Sequence, residues 1–361
     1  MRIFQNSGVY PAYRKRLASL RKNDSTFKEL MSTFMADRYA VAHYLLPVLN
    51  EAPDAYFTNG DDEDAQRVWA VENGMSRKAT PQQILRAQIE HHRTEVFYNL
   101  DPMRYGSDFI RTLPGCVKRS FAWRAAPSRG ADFSAYDLML CNFPSILESY
   151  REQGLKAAYF CPAHDPVMDK FAANEDRPVD VLFVGGYTRH HSRRAVLLEE
   201  VAKLSGEFNV KFHLDRSKMT RLAESALGLA LPLGKYKRPQ AIREVSQAPV
   251  FGLDLYGALG NAKIVLNGAI DMAGADRGNM RCFEAMGCGA LMVSDTGIYP
   301  AGMNDEESMF TYDNAAEAVS RIRRLIADGS TRTRVAKRGH EIMQSIYSKA
   351  QQWQAFENLA G

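Results

Sequence analysis

The feature that most constrains the fold is a short buried strand followed by a helix, repeated along the chain and interrupted once. In the first half, strands are predicted at residues 2–5, 55–58, 95–99, 117–123, 138–141 and 156–160, and helices at 24–49, 81–92 and 143–153. We expect Asp24 or Ser25 to cap the first helix, and Thr80 to cap the second with Pro81 at its first position. Alternation at this spacing predicts a parallel sheet covered on both faces, hence the α/β class.

The interruption, Cys161–Pro178, contains three prolines and a polar run, as interdomain linkers do. The alternation then restarts, with strands predicted at 179–184, 209–214, 263–267 and 290–293, and helices at 193–204, 279–286, 315–327 and 332–358. A chain of 361 residues also exceeds the size of one hydrophobic core. We therefore predict two Rossmann-like, doubly wound domains, at residues 1–165 and 179–340, with a linker at 166–178. The C-terminal helix, 341–361, is expected to cross back to the first domain.

Composition excludes several classes of protein. The 46 basic and 42 acidic residues give a net charge of +4, too little to indicate nucleic-acid binding and consistent with at most peripheral membrane association. Five cysteines without a C-x-x-C spacing argue against zinc and disulfide frameworks and favour free thiols in a reducing compartment. No apolar signal segment follows Met1, and the longest uncharged apolar stretch, Ser225–Gly234, is about half a membrane span. A cytoplasmic protein is expected.

The strongest local signal is the segment Asp276–Gly297, which reads as loop, short helix, glycine stop, buried strand and glycine turn. A loop before a helix N-terminus suits phosphate, because unpaired N–H groups and the helix dipole favour anions. A carboxylate one turn further on, here Glu284, can accept both ribose hydroxyls of a nucleotide. The alternative is that Glu284 is an ordinary acid on the helix surface.

The residues Arg281, Phe283–Met286 and Cys288–Gly289 resemble the C-terminal signature of GT-B glycosyltransferases, in a form similar to the spore-maturation-type subgroup. Retaining families of this kind often carry two glutamates eight residues apart. Asp276 and Glu284 have that spacing, with aspartate at the first position. The resemblance implies two Rossmann-like domains facing a cleft, an acceptor on the first and a nucleotide-sugar donor on the second. It implies metal-independent sugar transfer to a glycan, lipid-linked or protein acceptor, with Asp276 as a catalytic candidate and the nucleotide sugar as substrate, without a further cofactor.

A second segment, Asp180–Arg194, agrees with that resemblance. It runs from a strand through Gly185 and Gly186 into a helix that begins with histidine and arginines, and basic side chains there can balance a diphosphate. The donor-binding residues implied are Gly185, Gly186, Arg189, His191, Arg194, Lys263, Asn267, Asn279, Arg281 and Glu284. The alternatives are a solvated helix start, a tight glycine turn, and purely structural roles for Lys263 and Asn267.

The acceptor is expected at loops that follow strands of the first domain. The loop Asn99–Gly106 combines an acid, a base and an aromatic residue, and Asp101 is the candidate general base that an inverting enzyme would need. A turn-capping aspartate before proline is the alternative. The triplet Asp62–Asp64 resembles the D-x-D metal motif, but we predict that it supplies acids to the N-terminus of a helix at 65–72, so no metal site is expected.

Two other functions stay open at the level of sequence. One is a catalytically silent GT-B-like binding module of a cell-envelope or spore-coat assembly, for which Asp276 in place of glutamate is the support. The other, on fold analogy alone, is an epimerase or a phosphorylase.

Overall fold

A computed structural model describes residues 1–128, 130–188, 191–230, 232–268 and 273–361. Its framework consists of two six-stranded sheets, and neighbouring strands within each sheet run parallel. The prediction of an α/β chain with two doubly wound parallel sheets is confirmed. Within the described residues, no helix combines the length and the apolar character that crossing a bilayer requires.

The first sheet has the order β2-β1-β3-β4-β5-β6. Its strands are β1 (Ile3–Ser7), β2 (Ala55–Asn59), β3 (Val96–Asn99), β4 (Arg119–Trp123), β5 (Leu138–Cys141) and β6 (Ala157–Tyr159). The helices among them are α1 (Pro11–Leu20), α2 (Phe27–Ala36), α3 (Leu46–Leu49), α4 (Glu63–Glu72), α5 (Pro81–His92), α6 (Ser107–Ile110) and α7 (Pro144–Glu152).

The second sheet has the order β12-β11-β10-β7-β8-β9. Its strands are β7 (Val179–Gly186), β8 (Val210–Asp215), β9 (Ser246–Gln247), β10 (Ala262–Leu266), β11 (Leu291–Asp295) and β12 (Phe310–Tyr312). The helices that accompany it are α8 (Asp169–Ala172), α9 (Ser192–Ala202), α10 (Lys218–Ala223), α11 (Gln240–Val245), α12 (Gly252–Gly260), α13 (Met280–Gly287), α14 (Ala315–Ala327) and α15 (Gly329–Ile346). A last helix, α16, spans Lys349–Ala360.

The chain divides into two units. Unit 1 comprises Met1–Asp165, Met272–Asp276 and Tyr347–Gly361, and unit 2 comprises Pro166–Asp271 and Arg277–Ile346. The segment predicted as a linker, 166–178, therefore falls within unit 2 and includes α8. In unit 1, α16 inserts the fully buried Phe356 against the rings of Tyr98 and Phe121, with centroid distances of 5.0 and 5.6 Å.

The sheet of unit 2 shows why its strands are nearly continuous apolar runs. Val181 and Phe183 of β7 face a hydrophobic cluster with α9 and α14, whereas Leu182 faces a second cluster with α12 and α13. Because alternate side chains of one strand point to opposite faces, a sheet covered on both sides must be apolar at every position.

Two predicted helices are wrong in extent. The helix expected at 24–49 is two helices, α2 and α3, because Arg38 and Ala40 adopt left-handed backbone angles. Its cap is Thr26, in a capping box with Glu29, and not Asp24, whose φ is also positive. The helix expected at 332–358 is likewise interrupted, since Ser348 caps α16 as a separate helix.

Each sheet has one point at which the strand order reverses. In unit 1 the chain places β2 on one side of β1 and β3 on the other, so the reversal lies between β1 and β3. In unit 2 the reversal lies between β7 and β10. Open α/β sheets bind ligands at such points, beyond the carboxyl ends of the strands.

Candidate functional site

Arg194 lies at the point of reversal in unit 2. Its guanidinium sits over the ring of Phe183, 5.2 Å from the centroid, and donates a hydrogen bond to the carbonyl of Gly186 at the end of β7. A Cβ at Gly185 would come within 3.1 Å of Arg194 Nη2, so the absence of a side chain at Gly185 gives the guanidinium room at the end of β7. Burial lowers the pKa of Arg194, and in the described part of the chain its guanidinium forms no ion pair with a carboxylate. The side chain is partly buried, and Tyr312 and Asp295 oppose the lowering of its pKa. A partly buried cation without a direct ion pair favours an anionic ligand.

The N-terminus of α9 adjoins this arginine. His191 is its N-cap residue, makes no side-chain capping bond, and is followed by a first turn without acidic residues. Arg193 and Arg194 stand in that turn, so side-chain charge and helix dipole have the same sign. Arg189, the other basic residue expected here, lies outside the described residues.

Asn267 and Asn279, both predicted to contact the donor, contact each other. Asn279 Nδ2 donates to Asn267 Oδ1 at 3.2 Å, and Asn267 Nδ2 donates to Ser294 Oγ at 3.0 Å. The hydroxyl of Tyr312 donates to the Asn267 carbonyl at 2.6 Å. Asn267 is only 4% exposed, so its observed role is to tie the ends of β10, β11 and β12 together. Ser294 and Tyr312, at the ends of two strands, were not singled out from the sequence.

Arg281 and Glu284 are brought together within α13. Arg281 Nη1 donates to Glu284 Oε2 at 2.7 Å, with only 7% of the glutamate side chain exposed. Burial raises the pKa of Glu284, and the charge of Arg281 opposes that shift. The solvated-surface alternative for Glu284 is thus wrong, because the carboxylate is buried and paired one turn from the helix start.

Lys263 lies elsewhere. It is the second residue of β10, at the amino-terminal edge of the sheet, where Nζ donates to Asp180 Oδ1 at 2.7 Å. The carboxyl edge, with Asn267, is a whole strand away. The expectation that Lys263 contacts the donor is corrected on this ground, and its structural alternative describes what is seen.

Asp276, the catalytic candidate from the two-acid spacing, belongs to unit 1. Its carboxylate accepts a hydrogen bond of 2.6 Å from the backbone N–H of Ser145, in the first turn of α7. The Ser145 hydroxyl in turn donates to the Ala273 carbonyl at 3.0 Å. Asp276 is 6% exposed and stabilises a helix N-terminus, a role that its position in the sequence did not indicate.

The carboxyl edge of unit 1 is built on three asparagines, each at or next to the end of a strand. Asn6 Nδ2 donates to Asn99 Oδ1 at 2.9 Å, and Asn6 Oδ1 accepts from the backbone of Gly60 at 2.9 Å. Asn59 Oδ1 accepts from the backbone of Asp61 at 3.2 Å. All three asparagines are fully buried, and the sequence signal that could have identified them is asparagine closing three successive buried strands.

Charged side chains lie above this network. Arg104 forms ion pairs with Asp61 and, at 3.6 Å, with Asp101, while Arg14 binds Asp61 at 2.9 Å. Asp101 packs over Gly8 at the end of β1, where a Cβ would come within 2.8 Å of Oδ2. Burial raises the pKa of Asp101, a shift that Arg104 opposes and Asp61 reinforces. Asp101 therefore lies at the reversal point of unit 1, and Asp61 is a neighbour that sequence reasoning missed.

The triplet Asp62–Asp64 forms a helix start, as predicted. Asp62 is the N-cap of α4 and accepts from the Ala65 N–H at 3.3 Å, and it also pairs with Arg21. Among the described residues, no group of three metal-ligating side chains is found.

Comparison with known proteins agrees with this architecture. Residues 193–358 match a family model described as glycosyl transferase-like. No curated protein matches the sequence significantly. HepE from Anabaena, solved with UDP-glucose, superposes with a TM-score of 0.56 at 12% identity, over 99% of this chain and 98% of HepE. Sucrose-phosphate synthase from Thermosynechococcus elongatus gives 0.54 at 12% identity, over 99% and 98%. The fold is GT-B.

TarM from Staphylococcus aureus, in a complex with fondaparinux, α-GlcNAc-glycerol and UDP, has a TM-score of 0.55 at 10% identity. The match covers 78% of this chain, which spans only 59% of TarM. At such identities the likeness to solved structures is one of fold, and the GT-B fold supports more than one chemistry.

Proposed function

We propose that this GT-B chain is a glycosyltransferase that moves a sugar from a nucleotide-diphosphate donor bound to unit 2. The observation that carries the proposal is Arg194 at the reversal point between β7 and β10, a partly buried arginine that forms no ion pair with a carboxylate among the residues that the structure describes. The match of 193–358 to the glycosyl transferase-like model and the UDP and UDP-glucose bound by HepE support it.

The donor diphosphate is proposed to bind Arg194, His191 and the N-terminus of α9. These groups stabilise the charge that develops on the leaving diphosphate, which is an electrostatic role that needs no metal. Glu284 is proposed to accept the ribose hydroxyls, with Arg281 holding its carboxylate in place.

The acceptor is proposed to bind at the reversal point of unit 1, with its reacting hydroxyl hydrogen-bonded to Asp101. Burial raises the pKa of Asp101, which makes its carboxylate a better acceptor of a proton or hydrogen bond than an exposed aspartate. The proposal has three finer parts. The transferred sugar is a hexosyl or pentosyl group, the acceptor is a glycan, a lipid-linked molecule or a protein, and the chain is related to the spore-maturation-type subgroup. The last rests on Arg281–Gly289.

The test is calorimetric titration of wild type and Glu284→Gln with nucleoside diphosphates and nucleotide sugars. We expect binding by wild type and a loss of about 10- to 150-fold in Glu284→Gln, because a charge-assisted hydrogen bond to the ribose is removed. The matched control is Glu207→Gln, which neutralises an exposed glutamate paired with Arg323 at 2.5 Å. Equal affinity of both variants and wild type would remove Glu284 from the site.

The metal-free mechanism is tested separately. Transfer measured with excess EDTA should equal transfer with added magnesium or manganese, since basic groups and helix dipoles carry the charge. A strict requirement for a divalent cation would contradict this part of the proposal.

A catalytically silent binding module is the second candidate, favoured by one observation. Asp276, the first acid of the pair, is engaged with the N-terminus of α7. Hydrolysis or transfer from any nucleotide sugar would exclude the silent module, whereas tight nucleotide binding without turnover would support it.

A further inference from the structure

The segment Arg216–Arg238, hereafter the basic–apolar segment, differs in charge from the rest of the chain. It holds six basic residues and one acidic residue, an excess of five positive charges, whereas the whole chain has 46 basic and 42 acidic residues. The remainder of the protein is thus close to neutral. A basic excess in so short a stretch produces a local field that attracts anionic surfaces.

The same segment exposes apolar side chains. Leu227 is 75% exposed, Met219 and Leu222 are each 38% exposed, and Tyr236 is 37% exposed. These are four of the thirteen exposed large apolar side chains in the described residues, gathered within 18 positions. Exposed apolar side chains concentrated in one short stretch of chain, unlike the same side chains scattered singly, make that stretch a candidate interaction surface.

The fold of unit 2 keeps these side chains outside its core. Glu224 and Arg238 join the two arms of the segment by a bidentate ion pair, with N···O distances of 2.7 and 2.8 Å and both side chains nearly buried. Arg238 Nη1 also donates to Ser246 Oγ at 3.0 Å. In α10, Ala223 is the buried residue, and the larger apolar side chains of that helix, Met219 and Leu222, do not pack in the core.

We infer that the basic–apolar segment docks unit 2 onto the surface of an anionic lipid bilayer. Leucine, methionine and tyrosine side chains interleaved with lysine and arginine are the composition of interfacial membrane elements, in which the apolar groups enter the acyl boundary and the cations face the headgroups.

Two other kinds of partner fit less well. Protein interfaces are depleted in lysine, and this segment carries Lys218, Lys235 and Lys237. Single-stranded nucleic acid is held by stacking on aromatic rings, and here Tyr236 is the single aromatic residue. The inference stands independently of the proposed reaction. Since β8 ends at Asp215, paired in register with Gly186, docking would hold the carboxyl edge of the unit 2 sheet near the bilayer.

The experiment is co-sedimentation of the full chain with phosphatidylcholine vesicles, with and without phosphatidylglycerol, at low and high salt. We expect wild type to bind the vesicles that contain phosphatidylglycerol, and salt to weaken the binding. The triple variant Lys218→Gln/Arg221→Gln/Lys235→Gln should bind roughly 100-fold more weakly, at about fivefold per basic side chain near an anionic surface.

The matched control is Arg334→Gln/Lys337→Gln/Arg338→Gln, which removes the same charge from exposed positions on α15. It should bind within about threefold of wild type, because its effect on docking is limited to a weaker net attraction. The exposed ion pair of Arg338 with Glu341 that it also removes contributes little to stability. Leu227→Trp, compared with wild type, should show a blue-shifted emission when vesicles are added, since that side chain enters the interface. Melting curves of all variants verify folding.

Absence of vesicle binding by wild type would overturn the inference, as would equal losses in the two triple variants. An unshifted emission of Leu227→Trp on bound vesicles would overturn the insertion of the apolar side chains. Binding of an oligonucleotide that depends on the segment, without binding of vesicles, would assign it to nucleic acid instead.

Discussion

The two reversal points differ in how their charged side chains are paired. In unit 1, Asp61 and Asp101 are paired with Arg14 and Arg104, and the asparagine network beneath them is tied into the strand ends. In unit 2, Arg194 is held by a backbone carbonyl and an aromatic ring.

The difference indicates which kind of ligand each edge suits. A cation without a carboxylate partner gains most from an anion such as a diphosphate, because that anion supplies the missing charge. Carboxylates and guanidinium groups that already neutralise one another suit a neutral, hydroxyl-rich ligand that hydrogen-bonds without adding charge. This difference is why we propose that the carboxyl edge of unit 2 binds the donor and the carboxyl edge of unit 1 binds the acceptor.

The largest effect should come from Arg194→Ala. Affinity for a nucleoside diphosphate should fall by about 10- to 150-fold, and affinity for the bare nucleoside should change far less, because the lost bond is to phosphate. Calorimetry with both ligands measures the difference. Arg104→Ala, the corresponding change in unit 1, should leave nucleotide affinity unaltered. Arg194→Lys, which keeps the positive charge, should retain part of the affinity for the nucleoside diphosphate. Equal losses for diphosphate and nucleoside would refute the comparison.

The next effect concerns Asp101→Asn. We expect kcat/KM for the acceptor to fall by about tenfold or more, with unchanged nucleotide affinity, since an uncharged amide accepts a weaker hydrogen bond from the hydroxyl. Steady-state kinetics with varied acceptor tests this. Asp108→Asn, at a fully exposed carboxyl on α6, is the control and should behave as wild type. A loss of nucleotide affinity in Asp101→Asn would show that the two edges are not specialised as described.

A smaller effect should appear in the stability of unit 1, whose buried charges serve the fold. Burial, together with Lys349, lowers the pKa of His43 to about 4, and Asp165 lies 3.1 Å from its Nδ1. Between about pH 6.5 and 4 the unfolded chain binds a proton at His43 that the folded chain does not, so stability should fall as pH falls through this window. The slope due to this group is at most about 1.4 kcal/mol per pH unit.

Urea unfolding of wild type and His43→Gln across this pH range measures that slope by difference. The contributions of the carboxylates, which both proteins share, cancel in the difference. The variant should have the flatter profile. Parallel profiles would mean that His43 is not the titrating group, and that the lowered pKa has no consequence for folding.

The smallest effect is expected from Lys263→Met. Nucleotide affinity should equal that of wild type, and the free energy of unfolding should change by less than about 1 kcal/mol, because a partly exposed ion pair with Asp180 is all that is lost. Titration and melting curves measure both quantities. A clear loss of nucleotide affinity would restore Lys263 to the donor site and contradict its position at the amino-terminal edge.

The sequence by itself determined the class of fold and most helix and strand positions. Strand-helix alternation, caps such as Thr80 with Pro81, and the stop at Gly154 are local effects, and the structure has them where expected. The sequence also predicted a strand that ends in Gly185 and Gly186 before a helix that starts with basic residues, because that pattern is formed by neighbouring residues.

Tertiary structure alone decided the partners of residues distant in the chain. Asp276 and Glu284 look equivalent at a spacing of eight, yet Asp276 stabilises the N-terminus of α7 at Ser145, which is distant in the chain, whereas Glu284 pairs with Arg281 within its own helix. The resemblance implied that Lys263 contacts the donor, but the register of β10 places it beside Asp180, at the amino-terminal edge. The physical reason is common to Asp276 and Lys263: a charged side chain is stabilised by the opposite charge or dipole that folding brings within about 3 Å, and spacing along the chain does not specify a neighbour that comes from a distant segment.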